Sequence, residues 1–345
     1  MIRIQTEKRL DTLTTFGLRS TAEAFAQASS IEDLQEAAAV ARERGWKLHL
    51  LGGGSNTVLM SRVPGLVLQP VFRGIRRETD ASGSVLVVAG AAEALDDVVG
   101  ATLQHGLGGL ENLAAIPGSV GGAIVQNASA YGLEIAERLA WCRAWDRETG
   151  EIRLLTTEDC DFGYRTSYFK SEEGRRLVII EAAFRMPAEW KPEISYKGLG
   201  ARFEGRAPES IRPEEVEAAV REIRASKLPD PAETGSAGSF FKNPVVTRIK
   251  ARELITLHPK LVTYPLAGSR SKLAAGWLIE AAGLKGYAEE TVGVWPAHAL
   301  ILVNRGGATG EDVLRFARGI AERVERRFGV TLEPEPVFVG TDEAF

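Results

Sequence analysis

Cysteine is nearly absent: 345 residues contain two, Cys142 and Cys160, eighteen apart and with no Cys-x-x-Cys. This excludes a disulfide framework and a zinc knuckle, and a reducing compartment is the simple reading. The four histidines, at 49, 105, 258 and 298, are too scattered for a metal constellation, so no metal is expected. No run of eighteen apolar residues is present to span a bilayer, and the opening MIRIQTEKRL lacks an apolar signal core. The expectation is a cytoplasmic protein with no membrane partner. A strong charge of one sign is also lacking: 42 Lys and Arg against 46 Asp and Glu leave −4, with bases and acids interleaved. Nucleic acid, which calls for clustered Lys and Arg on one face, is therefore not expected as a partner.

What is present is an ordinary globular composition, 44% apolar and 26% charged, in a chain long enough for two or three cores. Ser30 and Asp33 read as a capping box opening a helix, with apolar Leu34, Ala37, Ala38 and Ala41 at helical spacing and Gly45 as its C′ residue. Apolar runs at Glu23–Ala28, Lys47–Leu51 and Leu66–Leu68 flank it, giving a βαβ unit. A second such unit is expected from a strand at Val85–Ala89 and a helix at about Leu95–His105. Further helices are expected over Pro213–Ser226, with Pro at N1, over Ser271–Ala282, and over Thr309–Phe328, with a strand at Leu300–Val303. Between Gly106 and Gly132 the sequence is rich in glycine and small residues and has one charge, Glu111, which reads as a buried loop rather than a linker. The alternation points to an α/β or α+β architecture in about three parts.

The residues LGGGSN, Leu51–Asn56, follow an apolar run directly, and IPGSVGGA, Ile116–Ala123, repeats the pattern. The triplet is not a Walker loop, since no Gly-Lys-Ser/Thr follows it, and it fails GxGxxG as well. Two loops able to present backbone N–H groups suit the pyrophosphate of a dinucleotide; close packing is the competing explanation.

LGGGSN, IPGSVGGAIVQNASAYG, FGYRTSYFK, GSFFKNP, AAGWLIEAAGLKG, HALILVN and EPEPVFVG occur together, in this order, in UDP-N-acetylenolpyruvoylglucosamine reductases, and the chain resembles that family of bacterial cell-wall flavoenzymes over most of its length. The resemblance implies an α+β fold: an FAD-binding domain of the vanillyl-alcohol-oxidase type in two lobes, residues 1–73 and 74–225, then a C-terminal α/β substrate-binding domain at 226–330. A lid-like insertion would occupy about 187–212, and residues 331–345 would form a strand returning to the active site. Implied FAD contacts are Gly52, Gly53, Gly54, Ser55 and Asn56; Ile116, Pro117, Gly118, Ser119, Gly121 and Gly122; and Asn127, Ala130, Tyr131 and Gly132. "NASAYG" carries Ser129 where the family usually has glycine, and Thr14 replaces the usual Asn ahead of Thr-Phe-Gly.

The implied reaction reduces an enolpyruvyl ether of a UDP-sugar to a lactyl ether, with FAD bound noncovalently and NADPH as donor. Such a site needs fixed donors aimed at a carboxylate and one group that delivers a proton. Arg165 offers the bidentate fork. Ser239 matches the family's proton donor, with Ser236 close by and Lys242 available to support it; Glu335 matches its catalytic glutamate, in protonated form, with Glu333 as the competing acid. Tyr164, Tyr196, Lys227, Asn243, Lys285 and His298 match substrate-binding positions, Tyr196 in the subclass whose loop carries a tyrosine. A monomer is expected.

Overall fold

The structure is a computed structural model that describes residues 2–343 and 345. The chain divides into two compact units. Unit 1 holds Glu23–Gly53, Pro64–Ser226 and the residues before Arg9; unit 2 holds Arg9–Ala22, Gly54–Val63 and the chain from Lys227 onward. Residues 9–22 and 54–63, expected in the first lobe, pack instead with the C-terminal third.

In unit 1 a four-stranded sheet runs in the order Gln5–Arg9, Thr21–Ala28, Arg62–Pro70, Leu48–Leu50. The helix Ile31–Glu43 opens as expected: Ser30 Oγ accepts from the Asp33 N–H and the Asp33 carboxylate accepts from the Ser30 N–H. Its buried Leu34, Ala37 and Ala41 pack with Ala24, Ala26, Leu66 and Leu68 of the sheet. The expected βαβ unit forms, with Leu48–Leu50 parallel to Leu66–Leu68. The second does not. Val85–Gly90 lies between Ile75–Thr79 and Leu177–Arg185, antiparallel to both, in a five-stranded antiparallel sheet completed by Leu139–Asp146 and Ile152–Thr156. An apolar run shows that a strand is buried without showing which neighbours its hydrogen bonds find.

The stretch Gly106–Gly132 is more than a loop. Its interior forms the helix Val120–Gln126, capped by Ser119 and burying Val120, Ala123 and Ile124 at helical spacing that the adjacent glycines obscure. The helix Pro213–Ala225 has Pro at N1, and its Glu215 accepts from the Arg212 N–H. The region 187–212 is tied down rather than hinged. Leu199, Phe203 and Ile211 are buried in the unit 1 core, Trp190 donates to buried Glu111 (2.7 Å), and the Asn112 amide donates to the Glu193 carbonyl (2.8 Å). Arg206 grips Glu215 at 2.8 Å and, with backbone N–H support from Arg212, holds that carboxyl down at a pKa of about 2.

Unit 2 packs Ser236–Ser239, Ile301–Asn304 and Val292–Val294 into one antiparallel sheet and Val245–Thr247, Arg270–Leu273 and Thr263–Leu266 into another. Val337–Val339 pairs in parallel with Thr57–Leu59. The long helix Gly310–Phe328, with its Thr309–Asp312 capping box, lays Val313, Phe316, Ile320 and Val324 on a core that includes Phe16, Phe240 and Phe241. Each of those aromatic side chains contributes on the order of 2–3 kcal/mol by leaving water. The helix expected over 271–282 starts later, at Ala275. Ser271 belongs to a strand, paired with Val246 and Pro265, and the Asn243 side-chain oxygen accepts the Ala275 N–H at the helix start.

Candidate active site

The glycine triplet has a backbone reason before any ligand is considered. A Cβ on Gly53 would lie 2.6 Å from the Ser119 nitrogen and 2.8 Å from the Gly118 Cα. Gly54, at φ +65°, would place a Cβ 2.3 Å from the Leu13 carbonyl oxygen. Close packing of the protein on itself thus accounts for two of the three glycines. The approach at Gly53 joins the two glycine loops of unit 1: Ser119 Oγ accepts from the Gly53 N–H (3.2 Å) and from the Gly122 N–H (3.3 Å). Gly52, Gly53 and Gly122 stay exposed around that hydroxyl, and a Cβ on Gly52 or Gly122 would come 3.1 or 3.4 Å from it. With no acid in either loop, this cradle of exposed glycines around the Ser119 hydroxyl fits the diphosphate of a dinucleotide.

Around these loops unit 1 carries strained backbone. Ala115, Asn127, Tyr131 and Arg165 all adopt positive φ without being glycine. Residues held in this way cost on the order of 1–3 kcal/mol each and cluster at functional sites. The Arg165 turn shows how the strain is held. Gly163 and Thr166 exchange backbone hydrogen bonds, at 3.0 and 3.2 Å, and Arg165 takes the third turn position at φ +56°, where glycine or asparagine is usual. The Arg165 guanidinium donates to Ser129 Oγ at 2.6 Å, Lys170 Nζ donates to the Arg165 carbonyl at 2.7 Å and also to Gln126, and the Asn127 amide donates to the Gly163 carbonyl at 3.0 Å. Asn127, expected at the cofactor, spends its side chain on this turn and on Glu134 and Ala136. Ser129, noted only as a departure from the family pattern, is a partner of Arg165.

Tyr131, expected at the cofactor, and Tyr196, expected at the substrate, meet edge to face with centroids 5.1 Å apart. Arg224 escaped the sequence reading. It is half-buried near Tyr131 and Asp96, donates through Nε to the Ala115 carbonyl (3.2 Å), and has its pKa lowered chiefly by desolvation there. Three residues before it, Arg221 forks onto Asp96 at 2.8 and 2.7 Å, and Asp96 accepts the Ala115 N–H. Together they brace the residue ahead of Ile116. The one signal for them was a pair of arginines one helical turn apart.

In unit 2, Ser236–Ser239 pairs with Ile301–Asn304 through an irregular register, with Gly238 at φ +67°. Such a bulge re-aims the side chain that follows. Ser236 is buried and engaged with Thr15 through its own N–H and carbonyl, whereas Ser239 is half-buried beyond the bulge. The Glu335 N–H donates to the carbonyl of Phe240, next to Ser239, and the Asn56 amide donates to the Glu335 carbonyl at 3.2 Å. Glu333 turns outward, its side chain 72% exposed, and pairs with Lys242 at 3.3 Å. Lys242, considered as a support for Ser239, is thus occupied on the surface. Asn56, assigned to the cofactor, secures the Glu335 segment.

Lys227, Lys285 and His298 gather on unit 2. Trp295 Nε1 donates to the Lys227 carbonyl (3.1 Å), Lys285 pairs with Glu280 (3.2 Å), and His298 Nδ1 accepts the Leu300 N–H (3.3 Å), which puts the ring proton on Nε2. Burial foremost, then the positive charges of Lys227 and Lys285, lower the His298 pKa against a smaller opposing pull from Glu280. The folded state therefore prefers neutral His298 and the unfolded chain protonates first. Stability contributed by this group is present above about pH 6.5 and declines as pH falls from there through the lowered folded value. Thermal unfolding followed from about pH 7.5 to 5 should show that decline, and His298→Gln should flatten it; an unchanged profile in the variant would remove His298 as the cause. Beside the cluster, Trp295, Pro296 and Gly286 line a unit 2 cavity of about 830 Å³.

Residues 22–156 match a family described as FAD binding domain, and residues 230–339 match the C-terminal domain of UDP-N-acetylenolpyruvoylglucosamine reductase. The enzyme of that name from Pseudomonas aeruginosa is 45% identical over 335 residues, 97% of this chain and 98% of its own length. The chain belongs to the UDP-N-acetylenolpyruvoylglucosamine reductase family. The Azoarcus member is 46% identical over 98% of both chains. A crystal structure of the Thermus caldophilus enzyme superposes with a TM-score of 0.68 at 25% identity, covering 98% of this chain and all of that one. The α+β fold expected from the resemblance, an FAD-binding domain of the vanillyl-alcohol-oxidase type with a C-terminal domain, is the fold found.

Proposed function

We infer that the chain is an FAD-containing, NADPH-dependent oxidoreductase that reduces the enolpyruvyl double bond of UDP-N-acetylglucosamine enolpyruvate to give UDP-N-acetylmuramate for peptidoglycan synthesis. The observation that carries this is near full-length relatedness at 45% identity, with both family domains matched in order. FAD, held at the glycine loops of unit 1, would supply the hydride chemistry between NADPH and the enolpyruvyl double bond.

The residues do the rest. On unit 1 the cradle around Ser119 receives the FAD diphosphate, with Gly52, Gly53 and Gly122 leaving room for it. Arg165, fixed by Ser129 and Lys170, clamps the substrate carboxylate and stabilises the negative charge that spreads into it. On unit 2 Ser239 hands its hydroxyl proton to the carbon bearing the carboxylate. Glu335 acts at the same carboxylate. Lys227, Asn243 and Lys285 contact the diphosphate or the glucosamine part of the substrate, Tyr196 closes over the nucleotide, and Tyr164 and His298 belong to the substrate side. The remaining assignments, Gly54, Ser55, Ile116, Pro117, Gly118, Gly121, Ala130 and Gly132, belong to the FAD contacts. The reading takes the enzyme as a cytoplasmic monomer.

The purified protein should be yellow, NADPH should bleach it without oxygen, and the enolpyruvyl sugar should restore the colour. Protein bleached by NADPH and indifferent to the sugar would overturn the assignment.

A further inference from the structure

Accepting from Arg165 uses only part of what the Ser129 hydroxyl can do. Ser129 opens a hairpin in which Ser129–Ala130 pairs with Leu133–Glu134 across the two-residue turn of Tyr131 and Gly132, both at positive φ. The Asn112 amide holds the Tyr131 carbonyl (2.8 Å), and the Ile135 N–H donates to the Ala128 carbonyl (2.9 Å), so the hairpin is tied at its tip and at its base. Facing it is the Arg165 turn, closed by Gly163 and Thr166 and held through the Arg165 carbonyl by Lys170. Two restrained segments thus fix the 2.6 Å contact between Arg165 Nη1 and Ser129 Oγ.

Chemistry fixes the direction of that contact. A guanidinium only donates, so the serine oxygen is the acceptor and its own proton points elsewhere. Among the described residues no side chain or carbonyl accepts that proton, and the serine is half-buried rather than sealed in the core. The neighbouring cation polarises the O–H and makes it a better donor than an ordinary serine. A carboxylate drawn to the same guanidinium comes beside this hydroxyl and offers the acceptor it lacks.

We propose that Ser129 is a substrate-binding residue, its hydroxyl donating a hydrogen bond to the carboxylate that Arg165 clamps. This rests on the role given to Arg165 under the proposed function and adds a second donor to it. The contact belongs to this chain rather than to the family pattern, in which the usual glycine has no side chain to supply it. A hydrogen bond to a charged group is worth about ten-fold or more in affinity. Ser129 therefore favours ligands that carry the carboxylate over those that lack it.

Titration calorimetry of the FAD-loaded protein with two ligands tests this: UDP-N-acetylmuramate, which has the carboxylate, and UDP-N-acetylglucosamine, which does not. Ser129→Ala should weaken the first by about ten-fold and the second by less than about two-fold, and Ser129→Thr, which keeps a hydroxyl, should retain the affinity for the first. Because Ser129→Ala also takes an acceptor from Arg165, it is repeated in the Arg165→Ala protein. There it should still weaken the carboxylate ligand by about three-fold, since the contact is the hydroxyl's own. Equal loss for the two ligands, or no further loss once the guanidinium is gone, would overturn the proposal and leave Arg165 as the clamp. Unaltered protein that binds neither ligand would remove the proposed function together with the contact.

Discussion

Ser239→Ala should leave reduction of the bound flavin by NADPH nearly intact while slowing reoxidation by the enolpyruvyl sugar by about a hundred-fold or more, the usual worth of a positioned acid. A serine hydroxyl is a weak acid, so the effect depends on placement. The structure provides placement in two steps. Gly238, at φ +67°, breaks the register with Ile301–Asn304 and re-aims the residue after it, and the Glu335 backbone is hydrogen-bonded to Phe240 immediately beyond. Stopped-flow absorbance separates the two half-reactions. Equal slowing of both would mark Ser239 as structural. Ser236→Ala is the control: its backbone bonds with Thr15 do not need the hydroxyl, so both half-reactions should survive.

Arg165 gives the second large effect, with a stability signature of opposite sign. Arg165→Ala should cost roughly 3 kcal/mol of transition-state stabilisation in kcat/KM, as removal of a fixed charge-stabilising donor does. Arg165→Gly should be equally impaired. Yet at φ +56° glycine escapes the penalty that any side chain meets there, so that variant should unfold at a higher temperature than Arg165→Ala, by about 1 kcal/mol in stability. A clamp held at the expense of backbone strain predicts this split between activity and stability. Full activity in either variant would discard the clamp, and equal melting temperatures would discard the strain.

The helix starts, the strands and the motif residues were legible in the sequence because their causes are local. Ser30 with Asp33, Thr309 with Asp312 and Pro213 at N1 act within one turn, and they form as read. Where the partner is distant, sequence reading fell short. The strand Val85–Gly90 was found but its antiparallel neighbours were not, and the helix at Ala275 begins where Asn243, thirty-two residues earlier, caps it.

For the candidate site the division runs along the same line. By itself the sequence determined which chemical groups are on hand: a guanidinium at 165, a hydroxyl at 239, carboxylates at 333 and 335, two side-chain-poor loops and a set of lysines, since residue type fixes charge, proton and reach. Only the tertiary structure decided which of them are at liberty to act. It gave Lys242 to Glu333, Asn127 to the Arg165 turn and two glycines to backbone packing. Hydrogen bonds and close contacts are made through space between segments far apart in sequence, and their assignment exists only once the chain has folded.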